Sequence, residues 1–141
     1  MRPAAALLAI SCTLTIAGVL AGCGGFKAPD LFVVERTGSV HGAKLTLLVN
    51  EEGGVTCNGG RQLKLSDPQL IQARALQEEL QSPSSSNLSL PAQPGSVLEY
   101  HVRDENGSVR FADNSAGQPP VLRKLSLFVL QVAQSICHFS M

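Results

Sequence analysis

Residues 61–81, RQLKLSDPQLIQARALQEELQ, change their hydrophobic period halfway along, and that change decides the fold class. Arg61-Gln62-Leu63-Lys64-Leu65 alternates, with Leu63 and Leu65 on one face, as a short half-buried strand does. Ser66-Asp67-Pro68 then combines an N-cap oxygen with a proline near the first helical position, and Ser66 with Gln69 fits a capping box. From there Leu70, Ala73, Leu76 and Leu80 recur at helical spacing, while Gln72, Arg74, Glu78, Glu79 and Gln81 stay off the stripe. The spacing predicts a helix ending near Gln81, with Ile71 off its apolar stripe. A strand that turns straight into an amphipathic helix needs a sheet for that helix to lie on.

Upstream, residues 31–37 (LFVVERT) and 44–50 (KLTLLVN) read as strands joined by Gly38-Ser39-Val40-His41-Gly42-Ala43, and the turns Glu51-Glu52-Gly53-Gly54 and Gly59-Gly60 bracket Val55-Thr56-Cys57-Asn58. Together they predict a meander of three or four short strands. Downstream, residues 82–95 (SPSSSNLSLPAQPG) carry no charge and are rich in Ser and Pro, so they read as a loop pinned by Leu88 and Leu90. In residues 96–103 (SVLEYHVR), Leu98, Tyr100 and Val102 alternate with Val97, Glu99, His101 and Arg103. An Asn106-Gly107 pair then predicts a tight hairpin, and Val109 and Phe111 point inward on the return. Pro119-Pro120 opens a second helix, with Leu122, Leu125, Phe128, Val129, Val132, Ala133 and Ile136 at three- and four-residue spacing. The expectation is an α+β fold, an antiparallel meander sheet with two amphipathic helices packed on one face, preceded by a signal peptide.

The start of the chain has a different character. Of 141 residues 44% are hydrophobic, yet 15 hydrophobic residues crowd into the first 22 positions, where Arg2 is the only charge. A short positive end, an apolar run and small residues before a cleavage point make a targeting leader. That run ends in Leu20-Ala21-Gly22-Cys23, which resembles the lipobox of bacterial lipoproteins. The resemblance implies cleavage before Cys23 and lipid attachment to its thiol. At about 0.8 kcal/mol per buried CH₂, two or three acyl chains hold a protein on a membrane without a spanning helix. The expected division is residues 1–22 as signal peptide, 23–30 as lipidated tether and 31–141 as one α+β domain. The expected location is extracytoplasmic, on the cell membrane or the outer membrane. The tether reaches at most ~25 Å at 3.3 to 3.6 Å per residue, so the domain stays close to the membrane surface.

With Cys12 in the leader and Cys23 lipidated, Cys57 and Cys137 remain. In an oxidising compartment they most simply form one disulfide, worth up to about 4.5 kcal/mol in the chain-entropy model for a loop of roughly 80 residues. Two separate buried thiols are the alternative. Neither a CxxC nor an HxxxH spacing is present to bring Cys57, Cys137 and His138 together on zinc, and no cofactor is expected. Eleven Lys and Arg balance eleven Asp and Glu, which gives no electrostatic basis for nucleic-acid binding. A Gly-x-Ser-x-Gly elbow is missing, His41, His101 and His138 are scattered, and Glu51-Glu52, Glu78-Glu79 and Asp104-Glu105 fall on turns or a helix surface. The reading is therefore not an enzyme; an enzymatic role would require Ser84-Ser85-Ser86 or His41 to line a pocket.

Arg36-Thr37-Gly38 after the first strand, Leu65-Ser66-Asp67 opening the helix, Tyr100-His101-Val102 in a later strand and Phe111-Ala112-Asp113 before a proline-started helix resemble the emfourin family, small bacterial inhibitors of thermolysin-like metalloproteases. The resemblance spans residues 31–133. It implies a domain that binds a protein, with a thermolysin-like metalloprotease as the partner it points to and membrane lipid as the partner of Cys23. The chain departs from the family at Gly38-Ser39-Val40-His41-Gly42, where a Gly-Gly-aromatic or aliphatic-Ala-Gly turn is usual, and in its two added cysteines and its leader. The family's inhibitory residues are therefore not carried over. A structural or assembly lipoprotein of the envelope is the competing expectation.

Overall fold

The computed structural model describes residues 29–139, so Cys23, the leader and most of the tether lie outside the described residues. Eight elements follow in order: β1 Asp30–Gly38, β2 Leu45–Asn50, β3 Gly54–Cys57, β4 Gln62–Lys64, α1 Asp67–Ser85, β5 Leu98–Asp104, β6 Gly107–Ala112 and α2 Pro120–Ser135. The strands form one six-stranded sheet in the order β4-β3-β2-β1-β5-β6 with every neighbour antiparallel. The expected α+β architecture is what forms, with a meander of four strands.

Strand alternation sets the two faces of the sheet. Phe32 and Val34 of β1, Leu45, Leu47 and Val49 of β2, Val55 of β3, Val102 of β5 and Val109 and Phe111 of β6 are buried on the side covered by both helices. A register shift between Asp30 and Phe32 lets Leu31 and Phe32, neighbours in sequence, both be buried. On α1 the buried residues are Ala73, Leu76, Leu80 and Ser84; on α2 they are Val121, Leu122, Leu125, Phe128, Val129, Val132 and Ala133. Phe128 meets Phe32 edge to face with ring centroids 6.1 Å apart, joining α2 to the central strand. The helices run antiparallel, since Glu79 pairs with Lys124 at one end and Gln69 reaches Ser135 at the other.

One local expectation is corrected: α1 continues to Ser85 instead of stopping near Gln81, so Ser84 and Ser85 are helical and not part of a loop. Pro83, in the last turn, removes one intrahelical hydrogen bond, and the helix end is held instead by Ser84, which donates its hydroxyl to Asp104 at 2.6 Å. The tight hairpin expected from Asn106-Gly107 does form, with Glu105 and Asn106 at its two central positions. Asp104 pairs with Gly107, and the turn is closed by Asp104 Oδ1, which accepts from the backbone N–H of Asn106 at 2.8 Å and of Gly107 at 3.1 Å. Gly107, at φ 151°, is needed for a different reason: a Cβ there would run into the carbonyl oxygen of Ser84 at the end of α1.

The edges of the sheet are protected differently. At one edge β4 is only three residues long and carries Lys64, a combination that discourages strand addition. At the other, Ser89 forms a parallel bridge to Arg110, with Arg110 N–H donating to Leu88 at 2.9 Å and Leu90 N–H donating to Arg110 at 2.8 Å. The segment after α1 thus covers the β6 edge, and Leu88 and Leu90 pack against the core as the sequence reading expected.

Candidate functional site

Because both helices lie on one side, the opposite face of the sheet carries the alternate residues Val33, Glu35, Thr37, Thr46, Leu48, Glu99, His101, Arg103 and Arg110. Glu35 faces His101 across the β1–β5 pair, and Arg103 lies diagonally from it. The Glu35 carboxylate accepts from Arg103 Nη2 at 2.7 Å and sits 3.4 Å from His101 Nδ1. Glu35 and Arg103 are exposed and His101 is partly buried, and the exposed Arg103–Glu35 pair is worth less than about 1 kcal/mol. Their effect is to fix a mixed-charge surface in one geometry.

A cleft of about 350 Å³ opens on this face between Pro91 and Ala92 on one side and Glu35, Glu99, His101 and Arg110 on the other. Its wall is held in place. Ser115, buried, donates its hydroxyl to the Pro91 carbonyl at 2.9 Å and accepts from Ala112 N–H at 2.8 Å, while Asn114 exchanges two hydrogen bonds of 3.0 Å with the Gln93 backbone. A second cleft of about 300 Å³, bounded by Thr37, Gly38, Ser39, Ser96, Val97 and Glu99, shares Thr37 and Glu99 with the first. The two clefts thus adjoin at Thr37 and Glu99, and the second borders the β1–β2 connection at Ser39.

That connection, residues 39–44, is anchored from beneath by Arg36. Its side chain is 1% exposed and points to the helix side of the sheet, in line with Phe32 and Val34. Its guanidinium donates to the carbonyls of Ala43 at 2.9 Å and Gly42 at 3.0 Å. Among the described residues Arg36 has no carboxylate partner. The Tyr100 phenol lies close to Arg36 and to Ser126 of α2, whose own hydroxyl donates to the Leu122 carbonyl at 3.0 Å. Burial pushes the Tyr100 phenol up from its ordinary value, against the opposing pull of Ser126 and the Arg36 charge. Ser39 N–H donates to the Val97 carbonyl, and within the connection Ala43 N–H donates to the Val40 carbonyl, both at 3.1 Å. Gly42 takes φ 71°.

Beside this loop, Asp113 holds residues 96 and 97. Desolvation pushes its carboxyl up, but hydrogen bonds from the Ser96 hydroxyl and the backbone N–H groups of Val97, Leu98 and Asn114 outweigh it and leave the carboxyl below its ordinary value. The Ser96 hydroxyl is 2.8 Å from Asp113 Oδ1.

Of the residues singled out from sequence, Cys57 and Cys137 are joined in a disulfide with Cα atoms 6.0 Å apart, linking the end of β3 to the residues just past α2. His41 is exposed in the β1–β2 connection, His101 lies on the open face beside Glu35, and His138 is exposed after α2. Of the serines proposed for a pocket, Ser84 is buried under the β5–β6 turn and Ser85 is helical. Among the described residues no three His, Cys, Asp or Glu side chains converge on a possible metal position, and no helix is long and apolar enough to cross a membrane. Two features went unread in the sequence. Arg36 stands at an inward position of β1 by strict alternation with Phe32 and Val34, and that parity was the available signal. The Glu35, His101 and Arg103 cluster has no local signal, because it exists only through the pairing of β1 with β5.

The described residues therefore form a two-layer α+β sandwich with two clefts on the face away from its helices and a braced loop at one end. No family model, curated protein or solved structure matches this chain.

Proposed function

We propose that the chain is a bacterial lipoprotein held through acylated Cys23 on the cell membrane or outer membrane, and that its extracytoplasmic domain is a protein-binding module inhibiting a thermolysin-like metalloprotease. The observation that carries this reading is the pair of adjoining clefts on the open sheet face together with the braced loop beside them, a rigid surface of both charge signs. Rigid surfaces suit tight protein binding because little freedom is lost on association. The leader and the Leu20-Ala21-Gly22-Cys23 motif support the anchor. β1 starts at Asp30, where the tether ends, so the β1–β2 loop lies at the far end of a nine-residue strand, about 26 Å from its start.

The test is the full chain, expressed with its leader, solubilised in detergent and titrated against thermolysin acting on a fluorogenic peptide. Slowed cleavage at micromolar or lower chain supports inhibition, and unchanged cleavage rules it out. Intact mass gives the anchor separately, as a lipid increment on a chain beginning at Cys23. If the anchor is present and inhibition is not, pull-down from solubilised membranes that recovers envelope proteins favours the assembly role.

A further inference from the structure

We infer that the cleft of about 350 Å³ between residues 89–92 and strands β1, β5 and β6 is a binding site for a short peptide with free termini, of dipeptide length. This site goes beyond the inhibitory reading and does not depend on it. The charged groups in the cleft divide into two kinds. Glu35 is already engaged, by Arg103 Nη2 at 2.7 Å on one oxygen and by His101 Nδ1 at 3.4 Å on the other. Arg110 and Glu99 are not: among the described residues neither takes part in an ion pair. Both are exposed and both line the cleft.

Arg110 lies opposite His101 and Glu99 opposite Ala112, so the two charges stand at diagonal positions on neighbouring strands. Diagonal neighbours in a sheet are about 7 Å apart, within reach of long side chains, yet these two leave each other unpaired across the cleft. One guanidinium and one carboxylate without protein partners match a ligand with one charge of each sign. A plain anion would meet Arg110 but be opposed by Glu99, and a plain cation the reverse. An amino acid carries both charges on a single Cα, too close together to span the pair. An extended dipeptide spans about 7 Å at roughly 3.3 to 3.6 Å per residue, which matches the separation.

The rest of the cleft suits such a ligand. Leu90, Pro91 and Ala92 give one wall an apolar surface for a peptide side chain, and Ala112 keeps the floor low because its side chain is only a methyl group. With His101 Nδ1 turned to Glu35, the ring's Nε2 is the nitrogen left for a ligand, and the Thr37 hydroxyl lines the same cleft. The wall is formed before a ligand arrives, since Ser115 holds Pro91 and Asn114 holds Gln93, so binding orders little that was free.

The experiment is isothermal titration of the full chain in detergent with L-alanyl-L-leucine, its N-acetylated form, its C-terminal amide and L-leucine. The free dipeptide is expected to bind with a dissociation constant of about 1 mM or below. Each of the other three should bind about tenfold more weakly or worse, the loss expected when a charged hydrogen-bonding group finds no partner. Arg110→Ala should erase the free dipeptide's advantage over the amide, and Glu99→Gln its advantage over the acetylated form. Both positions are exposed, and unchanged thermal unfolding verifies the fold; Ile71→Ser on α1 should leave binding as it is. No heat of binding at about 10 mM dipeptide overturns the inference. So does equal binding of any of the three other compounds, or an Arg110→Ala variant that binds and discriminates as the wild type does. None of these outcomes touches thermolysin inhibition, which is read in its own titration.

Discussion

The two ends of the sheet are secured by different means. At the end where β1 begins, α1 runs past the turns and holds them. Arg74 donates to the Glu51 carbonyl at 2.7 Å, Leu70 packs on Gly53, Gln77 reaches Glu105 at 3.3 Å and Ser84 bonds Asp104. At the opposite end the β1–β2 connection is braced by a guanidinium buried beneath it, and the end of β3 is tied by the Cys57–Cys137 bond. The first arrangement covers turns with a helix; the second rigidifies a loop while leaving Ser39, Val40 and His41 exposed. Covering stabilises a turn at the expense of its accessibility, whereas bracing from below keeps both. An end built the second way is suited to contact.

The largest expected effect comes from the disulfide. Reducing it is expected to lower unfolding stability by about 4 kcal/mol, the range for a bridge closing so long a loop. Urea titration with and without reductant gives the number. A loss under about 1 kcal/mol would mean that the loop end stands without its covalent tie and would remove half of the contrast. Next is Arg36→Met, which leaves the Gly42 and Ala43 carbonyls without their donor and should cost about 3 kcal/mol. In the folded fraction, amide exchange should accelerate at residues 39–44 and not at residues 105–107. Uniform acceleration at both ends would show that Arg36 is a general core residue with no particular hold on the loop.

Gly107→Ala probes the helix-covered end. The added methyl meets the Ser84 carbonyl, and φ 151° disfavours any L side chain, so a loss of about 2 kcal/mol is expected by denaturant titration. Thermolysin inhibition should be unaffected once folding is complete. A variant that folds normally but no longer inhibits would place the functional contact at the wrong end.

Much of this architecture was legible because it is local. Alternation in residues 98–102 and 109–111, the Ser66-Asp67-Pro68 start of α1 and the apolar stripe of α2 each report their own element through neighbours within a few positions. The end of α1 was not, because Ser82-Pro83-Ser84-Ser85 is weakly helical by composition. It becomes helical through long-range contacts, chiefly Ser84 with Asp104, twenty positions away in sequence. The same limit hid the site. Glu35 and His101 meet across 66 positions and Glu35 and Arg103 across 68, and a register between distant strands leaves no periodic mark. Arg36 lay between these cases, since its inward parity was visible but the carbonyls that satisfy it were not.

The smallest expected effect belongs to Asp113, which holds Ser96 and Val97 next to the braced loop. Its folded-state carboxyl lies below the ordinary carboxylate value because the hydrogen bonds it accepts outweigh partial desolvation. Stability from such a group is present above the unfolded value, about pH 4, and is lost as pH falls through the lower folded value. Acidification from pH 5 to about pH 3 should therefore loosen residues 96 and 97, seen as faster exchange of the Val97 amide after correction for intrinsic rates. Asp113→Asn should abolish that pH step, since the amide oxygen still accepts hydrogen bonds and does not titrate in this range. The turn at residues 105–106 is the internal comparison, because its Asn106 amide is bonded to a different carboxylate, Asp104. If the Val97 step persists in Asp113→Asn, the loop end is held against acid by something other than this carboxylate, and the distinction between the two ends narrows to Arg36 and the disulfide.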